Sequence, residues 1–379
     1  MIYKEFKGKK LSALGMGAMR LPTTNGEPSG PVDEKQVGDM VAYAMEKGIN
    51  YYDTAYGYHD GKSEVVIGKA LQKYPRESFY LADKFPGYDL ANMGKVEEIF
   101  EEQLKRTGMD YFDFYLFHNV CEINIEQYLD EKYGIMDYLQ KQKANGRIKH
   151  LGFSAHGRLD VMERFLEKYG SSMEFCQIQM NYLDWKLQEA DKKVELLQKY
   201  NLPVWVMEPL RGGKLAALSP ENEKKLKEIR PDETIPAWAF RFLQSVPGVT
   251  VTLSGMSNLQ QLKENIDTYS EEKPVNKEEM EKLMQVAAEM LNILPCTSCR
   301  YCTSHCPQEL DIPNLLFMYN ELHFSNGFIT QMGVGAMPEE KRPSACIGCK
   351  SCEAVCPQQI KISEIMSDFV ERMKQPVTL

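Results

Sequence analysis

The chain has 379 residues, of which 43% are hydrophobic and 26% are charged, and its formal net charge is −9. This length suits a large domain and a small one, and the acidic balance excludes nucleic acid as the main partner. We expect no signal peptide and no membrane partner, because residues 1–7 lack an apolar core and no apolar run reaches spanning length.

Short apolar runs rich in β-forming residues recur along most of the chain. They predict eight strands, at residues 13–19, 49–55, 79–84, 112–119, 148–155, 174–181, 202–209 and 248–255. Helical patterns separate them, for example at 33–47 and 97–106. Eight strands alternating with helices over about 250 residues predict an α/β fold of the (β/α)8, or TIM, barrel type. A doubly wound open sheet is the alternative, but Gly15-Met16-Gly17 lacks the third glycine of its phosphate loop.

Four ionisable residues lie at the carboxyl ends of predicted strands, where the reacting side chains of such a barrel stand. They are Asp53, Tyr58, Lys84 and His118. Taken singly, each has an ordinary structural interpretation, such as a lysine whose ammonium reaches solvent. Together they predict a site that protonates a carbonyl oxygen. A lysine ammonium held by an aspartate would lower the pKa of the tyrosine, and the histidine would donate a hydrogen bond to the oxygen.

The stretches around these residues resemble the aldo-keto reductases. The matching segments are INYYDTAYGY (49–58), YLADK (80–84) and FYLFH (114–118), and LSALGMGAMRLP (11–22) is similar to the family's first strand. The resemblance covers roughly residues 1–270. It implies Tyr58 as the general acid, Lys84 and Asp53 as the pair that lowers its pKa, and His118 as the residue that orients the carbonyl. It also implies hydride transfer between a nicotinamide cofactor and a small carbonyl or alcohol substrate.

The same resemblance implies cofactor-binding residues. Ser154 and Gln177 match the positions that hold the nicotinamide carboxamide, but the residue after the serine, normally Asn, is Ala155. Met207 stands where an aromatic ring often stacks on the nicotinamide, and Arg211 either lines the pyrophosphate or lies in a solvated turn. The adenosine-binding segment corresponds to Ser254, Gly255, Ser257, Gln261, Glu264 and Asn265. Its usual cations are replaced by uncharged residues, so both NAD(H) and NADP(H) stay candidates.

The pattern changes after about residue 268. Helical patterns at 276–292, 312–322 and 362–374 enclose a cysteine-rich region. We therefore expect a barrel domain at 1–275 and a small, mainly α-helical ferredoxin-type domain at 276–379.

Eight of the ten cysteines form two copies of the pattern C-x2-C-x2-C-x3-C-P, with Pro307 and Pro357 as the closing prolines. This spacing is typical of bacterial 4Fe–4S sites, in which the fourth cysteine of each run ligates the other cluster. The first cluster would take Cys296, Cys299, Cys302 and Cys356, and the second would take Cys346, Cys349, Cys352 and Cys306. Zinc is the alternative, but zinc sites need neither a third cysteine at this interval nor the proline.

Three functions follow from joining these two parts. The first is a carbonyl reductase whose two 4Fe–4S clusters relay electrons to or from a redox partner protein. The second is the same enzyme with clusters that only brace the fold or dock a partner. The third is an electron-transfer protein whose barrel binds a flavin, since a flavin usually bridges two-electron and one-electron steps. Eight free thiolates favour the reducing cytoplasm.

Overall fold

The computed structural model of the protein describes residues 1–27, 30–291, 294, 296, 299–324 and 328–375. They divide into two compact units, Met1–Val286 and Ala287–Leu379. Within these residues, no helix is both long and apolar enough to cross a membrane.

The first unit contains a closed barrel of eight parallel strands, which confirms the predicted fold class. A two-stranded antiparallel hairpin, β1 (Tyr3–Phe6) and β2 (Lys9–Ser12), precedes it and has no counterpart in the sequence prediction. The barrel strands are β3 (Leu14–Gly17), β4 (Tyr51–Asp53), β5 (Tyr80–Phe85), β6 (Phe112–Val120), β7 (Ile148–Ala155), β8 (Cys176–Gln179), β9 (Val204–Met207) and β10 (Val249–Ser254). Each lies inside or close to a predicted run, and β10 pairs with β3 to close the ring.

Helices alternate with the strands, and most bury one apolar face against the barrel. In α6, for example, Met162, Phe165 and Tyr169 are buried three to four positions apart while the charged residues between them face solvent. The helices of this part are α1 (Glu34–Glu46), α2 (Lys62–Leu71), α3 (Val96–Thr107), α4 (Ile125–Leu129), α5 (Ile135–Ala144), α6 (Leu159–Tyr169), α7 (Asp184–Leu187), α8 (Ala190–Lys199), α9 (Pro220–Lys227), α10 (Ile235–Ser245) and α11 (Leu259–Thr268).

Aromatic rings fill the barrel interior. Phe6 of the hairpin lies against Phe114, Phe175 and Trp205, with ring centroids 5.1–6.4 Å apart. The hairpin therefore plugs the interior next to a packed core, and the interior is not a pore.

The next helix, α12 (Lys277–Met290), extends across the boundary between the two units. Its first half belongs to the barrel unit, because Glu279 accepts hydrogen bonds from Arg230 at 2.6 and 2.7 Å and Leu283 and Val286 are fully buried. The two compact units divide between Val286 and Ala287, whereas the sequence places the domain boundary at 275/276. Asn292, the last residue of the predicted helix, lies outside the described residues.

The second unit is helical, as predicted, and the described residues of its two cysteine runs share one backbone feature. Its helices are α13 (Ile312–Phe324), α14 (Phe328–Gly335), α15 (Ser351–Ala354) and α16 (Ile362–Met373). The residue after the second cysteine of each run is left-handed, with φ of 64° at Arg300 and 63° at Lys350. Equivalent apolar residues are buried in one core, including the pairs Leu310/Ile360 and Ile312/Ile362.

Candidate active site

The carboxyl ends of three neighbouring strands bring the four predicted catalytic residues together. Asp53 ends β4, Lys84 lies in β5, His118 lies in β6, and Tyr58 begins the turn after β4. Lys84 Nζ donates to Asp53 Oδ1 at 2.6 Å and to the Thr54 carbonyl at 2.7 Å. The same Nζ lies 5.1 Å from the centre of the Tyr58 ring, whose centroid is 5.9 Å from that of the His118 ring.

Lys84 is charged even though its side chain is fully buried. Burial lowers the pKa of the Lys84 ammonium, but Asp53 and Tyr58 raise it further, so the net shift is upward. Burial also raises the pKa of Asp53, and the ammonium opposes that shift. We assign the pair as ammonium and carboxylate, because a contact of 2.6 Å between fully buried groups is stable only when opposite charges meet.

The pKa of the Tyr58 hydroxyl corrects one expectation. Burial raises this pKa, the Lys84 ammonium lowers it and Asp53 raises it, so the net shift is upward and not downward as the sequence argument expected. Tyr58 is therefore fully protonated at neutral pH and holds the proton that a carbonyl oxygen would need. The ammonium acts when the proton leaves, because it stabilises the phenolate that remains.

His118 is neutral. Burial lowers the pKa of this imidazole well below the usual value, and Lys84 and His156 lower it further. A neutral imidazole carries one N–H, which suffices to donate a hydrogen bond to an oxygen that gains negative charge. Its Nδ1 is buried and has no partner among the described residues.

Tyr88, in the loop after β5, contacts His118 of this group and was not singled out from the sequence. Its ring meets that of His118 edge-on, at 5.1 Å between centroids and 90° between planes. A Cβ at position 57 would lie 2.2 Å from the Tyr88 hydroxyl, so the glycine before Tyr58 makes room for it. Only the fold reveals the contact between Tyr88 and His118, since the first lies in the loop after β5 and the second in β6.

A second polar group holds the backbone of Lys84 from the outer side of the barrel. Asp83 Oδ1 accepts from the Lys84 N–H at 2.8 Å, and Gln103 Nε2 donates to the Lys84 carbonyl at 3.0 Å and to Asp83 Oδ1 at 2.8 Å. Burial and the nearby Glu64 raise the pKa of Asp83 well above its usual value. Lys84 is thus fixed on both its backbone and its side chain.

Ser154 and Gln177 lie side by side on β7 and β8, where they are registered partners. Ser154 Oγ accepts from the N–H of Asn119 at 2.8 Å. Gln177 Nε2 lies 3.6 Å from Met207 Sδ, while its Oε1 is buried without a partner in the described part of the chain. The structure therefore brings Ser154, Gln177 and Met207 together beside the catalytic residues.

Arg211 does not stand where the resemblance would place it. Its side chain is 3% exposed and forms an ion pair with Asp184, which is fully buried. Asp184 also accepts from Gln179 at 2.9 Å and Asn181 at 2.6 Å. A buried guanidinium needs such a carboxylate, so we assign Arg211 to this buried network instead of to a pyrophosphate.

The predicted adenosine segment is ordered largely by its own contacts. Asn265 donates to Ser254 Oγ at 3.1 Å, and Gln261 Oε1 accepts from the Ser257 N–H at 2.8 Å. Glu264 is exposed and accepts from Gln260 on the same helix at 2.7 Å. The segment joins β10 to the N-terminus of α11, which lies in the region where barrels of this class commonly bind phosphate.

Arg20, which follows β3, brings a cation to this segment. A Cβ at Gly255 would lie 3.1–3.3 Å from the Arg20 stem, and a Cβ at Gly212 would lie 3.3 Å from its Nη2. The nearest carboxylate is Glu208, 3.8 Å away, and the Arg20 side chain is 31% exposed. Lys263 is the one cation within residues 254–265, and its Nζ lies 5.5 Å from the centre of the Tyr43 ring. Arg20 is therefore a second cation near this segment, which the sequence argument did not consider.

The cysteine sulfurs of the second unit gather in the two crossed groups that the sequence predicts. Burial raises the pKa of the Cys302 thiol to about 11, and Cys296, Cys299 and Cys356 act on it as neighbouring charges. The corresponding neighbours of Cys352 are Cys346 and Cys306. One cavity is lined by Cys306, Cys346, Cys349 and Cys352 together.

Within the described residues, no three His, Cys, Asp or Glu side chains are close enough to hold one metal ion. Cys299 and Cys349 are exposed, whereas Cys302 and Cys352 are buried. Four thiolates in each group suit the chemistry of a 4Fe–4S cluster.

Two family models match the chain. The model of the aldo/keto reductase family matches residues 13–288, and that of the 4Fe–4S dicluster domain matches residues 295–360. The uncharacterized oxidoreductase YqkF of Bacillus subtilis is 26% identical, over 68% of this chain and 86% of that protein. The NADH-specific methylglyoxal reductase of Escherichia coli is 26% identical, over 68% of this chain and 89% of that protein.

Solved structures share the barrel. The thermostable aldo-keto reductase Tm1743 is 25% identical, with a TM-score of 0.60 over 76% of this chain and all of that one. The aldo-keto reductase of Klebsiella pneumoniae in complex with NADP and acetate is 20% identical, with a TM-score of 0.60 over 74% of this chain and 93% of that one. None of these matches supports a flavin in the barrel.

Proposed function

Because this chain belongs to the aldo/keto reductase family, we propose that it transfers hydride between a nicotinamide cofactor and a small carbonyl or alcohol substrate. The observation that carries the proposal is the buried Lys84–Asp53 ion pair of 2.6 Å beneath the Tyr58 ring, with a neutral His118 beside it. Nothing about a purely structural barrel requires a buried ammonium against a tyrosine at the carboxyl ends of its strands.

The residues of the chain handle the proton and the oxygen. When bound, the nicotinamide supplies the hydride, which carries both electrons to the carbonyl carbon. His118 donates a hydrogen bond to the carbonyl oxygen, and Tyr58 gives that oxygen its proton. The phenolate left on Tyr58 is stabilised by the Lys84 ammonium, which Asp53 keeps protonated. Alcohol oxidation uses the same residues in reverse.

The polar atoms near the strand ends fit the nicotinamide. Gln177 Oε1 is buried and unpartnered among the described residues, and Ser154 Oγ uses only one acceptor position there. Ser254, Gly255, Ser257, Gln261, Glu264 and Asn265 would hold the adenosine end, with Arg20 at the phosphates. Both NAD(H) and NADP(H) are compatible with one partly exposed arginine, and one relative bears the name of an NADH-specific reductase.

For the second unit we propose two 4Fe–4S clusters on the crossed cysteine groups, which exchange single electrons with a carrier protein. The shared core around both groups and the exposed Cys299 and Cys349 support this function, because electrons need a short path to the surface. Eight free thiolates suit a reducing compartment such as the cytoplasm.

A panel of aldehydes and ketones tests the enzymatic proposal. With NADH and NADPH as donors, we expect turnover of at least one carbonyl and a loss of about 10²- to 10⁴-fold in kcat/KM for Tyr58→Phe. Tyr56→Phe is the matched control, since the Tyr56 hydroxyl bonds to Glu102 at 2.8 Å outside the catalytic group. Equal activity of the Tyr58→Phe and wild-type proteins on every substrate would reject the proposal.

Loss of one cluster ligand tests the electron relay. For Cys299→Ser we expect nicotinamide-linked turnover to persist while reduction of a one-electron dye is lost, with Cys121→Ser as the control. If the variant keeps both activities, the clusters only brace or dock. Thermal unfolding is followed in parallel, because losing a cluster can unfold its domain.

A further inference from the structure

A β-bulge beside the catalytic residues brings in a side chain that the mechanism above does not use. On β6 and β7, Phe117 pairs with Phe153 and Val120 pairs with Ala155, and the register shifts between them. Two residues, His118 and Asn119, therefore stand opposite the single residue Ser154. Bulges of this kind re-aim side chains next to active sites. The backbone of Asn119 is left-handed, with φ of 58°, a conformation that asparagine tolerates better than most residues.

Asn119 is held at its backbone but not at its side-chain oxygen. Its N–H donates to Ser154 Oγ at 2.8 Å, and its carbonyl accepts from Asn124 Nδ2 at 2.8 Å. Asn119 is 5% exposed, yet its Oδ1 has no hydrogen-bond partner among the residues that the structure describes. Buried amide oxygens are nearly always satisfied, so an unpaired one beside the catalytic group indicates a ligand.

The neighbouring atoms define what that ligand offers. Ser154 Oγ already accepts one hydrogen bond, so its hydroxyl hydrogen is available to donate. Gln177 Oε1, on the next strand, is a second buried acceptor without a partner in the described chain. One donor and two acceptors complement a primary carboxamide, which has one carbonyl oxygen and two N–H groups.

We propose that Asn119 Oδ1 accepts a hydrogen bond from the carboxamide NH2 of the nicotinamide and thereby replaces an amide that Ala155 cannot provide. The proposal rests on the proposed function and deepens it. Ala155 on β7 pairs with Val120 on β6, directly after the bulge. The amide of Asn119 on β6 therefore takes the role that an asparagine at position 155 of β7 would have.

Cofactor fragments separate this contact from a structural effect. Affinities of the full chain are measured for NADH, for its 3-acetylpyridine analogue, which lacks the carboxamide NH2, and for ADP-ribose, which lacks the nicotinamide. Asn119→Gly keeps the left-handed backbone without strain and removes only the amide. We expect it to weaken NADH binding about tenfold and to leave binding of the other two compounds unchanged. Asn119→Asp, which keeps an acceptor oxygen, should bind NADH more tightly than Asn119→Gly.

A second-site variant gives an independent readout. Asn119→Gly combined with Ala155→Asn should regain most of the lost NADH affinity. Equal weakening of all three compounds by Asn119→Gly, or no weakening of NADH, overturns the role of Asn119 while leaving the proposed function intact. If the wild-type chain binds NADH and its 3-acetylpyridine analogue no more tightly than ADP-ribose, the nicotinamide contributes nothing to binding, and both proposals fail.

Discussion

The barrel and the cysteine-rich unit carry two kinds of site that differ in how much of the chemistry the polypeptide supplies. At the barrel, the Lys84 ammonium lies within hydrogen-bond distance of the Asp53 carboxylate and the Thr54 carbonyl, and 5.1 Å from the centre of the Tyr58 ring. In the second unit, the cysteines are free thiols, of which Cys299 and Cys349 are exposed and Cys302 and Cys352 are buried. The first site is preorganised by burial and ion pairing, whereas the second, as proposed above, would be completed by iron–sulfur clusters.

Breaking the ion pair at the barrel gives the largest expected effect. We expect Lys84→Met to lower kcat/KM by about 10²- to 10⁴-fold and to destabilise the protein by about 3–5 kcal/mol, because it leaves the Asp53 carboxylate buried and unpaired. Chemical denaturation and steady-state kinetics measure the two effects.

A double-mutant cycle separates stability from chemistry. Asp53→Asn combined with Lys84→Met should regain much of the stability and none of the activity. Lys69→Met, at an exposed lysine paired with Glu34, serves as the control. Recovery of activity in the double variant would contradict the assigned role of Lys84.

Iron removal sharpens the comparison. Chelation under reducing conditions should abolish the thermal transition of the second unit, because cluster binding is part of its folding free energy. The transition of the barrel should keep its midpoint, since the aromatic interior and the Lys84–Asp53 pair contain no cysteine ligand. Differential scanning calorimetry checks this. A barrel transition that shifts together with the iron content would show that the two units are not independent.

The pH dependence of stability gives a smaller effect in the barrel. Burial lowers the pKa of His156 to about 4 from an ordinary value near 6.5. The unfolded chain therefore takes up this proton at higher pH than the folded chain, so the stabilisation is complete above about pH 6.5 and is lost as the pH falls toward 4.

His156→Gln measures this contribution. On the order of 2 kcal/mol of the wild-type loss in unfolding free energy between pH 7 and pH 4.5 should be absent in the variant. His118, whose pKa is also lowered, adds to the wild-type slope in the same direction. Identical acid slopes in the two proteins would contradict a neutral His156 in the folded chain.

The smallest effect is expected at the rim of the barrel. Arg20→Ala should weaken the binding of NADH and of ADP-ribose about threefold to tenfold, because both carry the phosphates that this arginine would contact. Lys35→Ala, which removes an exposed lysine paired with Asp39, should change neither affinity. An effect of Arg20→Ala on NADH alone would argue against a phosphate contact.

The sequence predicted the parts of this protein that depend on periodicity and spacing. The barrel, the helical second unit and the crossed grouping of the cysteines all follow from local patterns, and so does the gathering of Asp53, Tyr58, Lys84 and His118. The sequence could not reveal features that need a register or a long-range contact. The bulge at Asn119 depends on how β6 aligns with β7, and the contact of Arg20 with Gly212 and Gly255 joins segments far apart in the chain.

The directions of pKa shifts and the partners of buried charges were the features hardest to predict from the sequence. The raised pKa of Tyr58 results from burial that exceeds the effect of Lys84, and the ion pair of Arg211 with Asp184 depends on the turn after β9. Both the pKa shift and the ion pair depend on the folded surroundings of the group and not only on its neighbours in sequence.

A single-turnover measurement with NADH deuterated at the transferable position tests the central claim, that the barrel alone completes hydride and proton transfer. The account predicts that deuterium appears on the product carbon with wild-type protein, whether or not the clusters are present. It also predicts that Tyr58→Phe slows this transfer about 10²- to 10⁴-fold while still binding NADH. Transfer at equal rates in the two proteins, or transfer that disappears with the clusters, would contradict it.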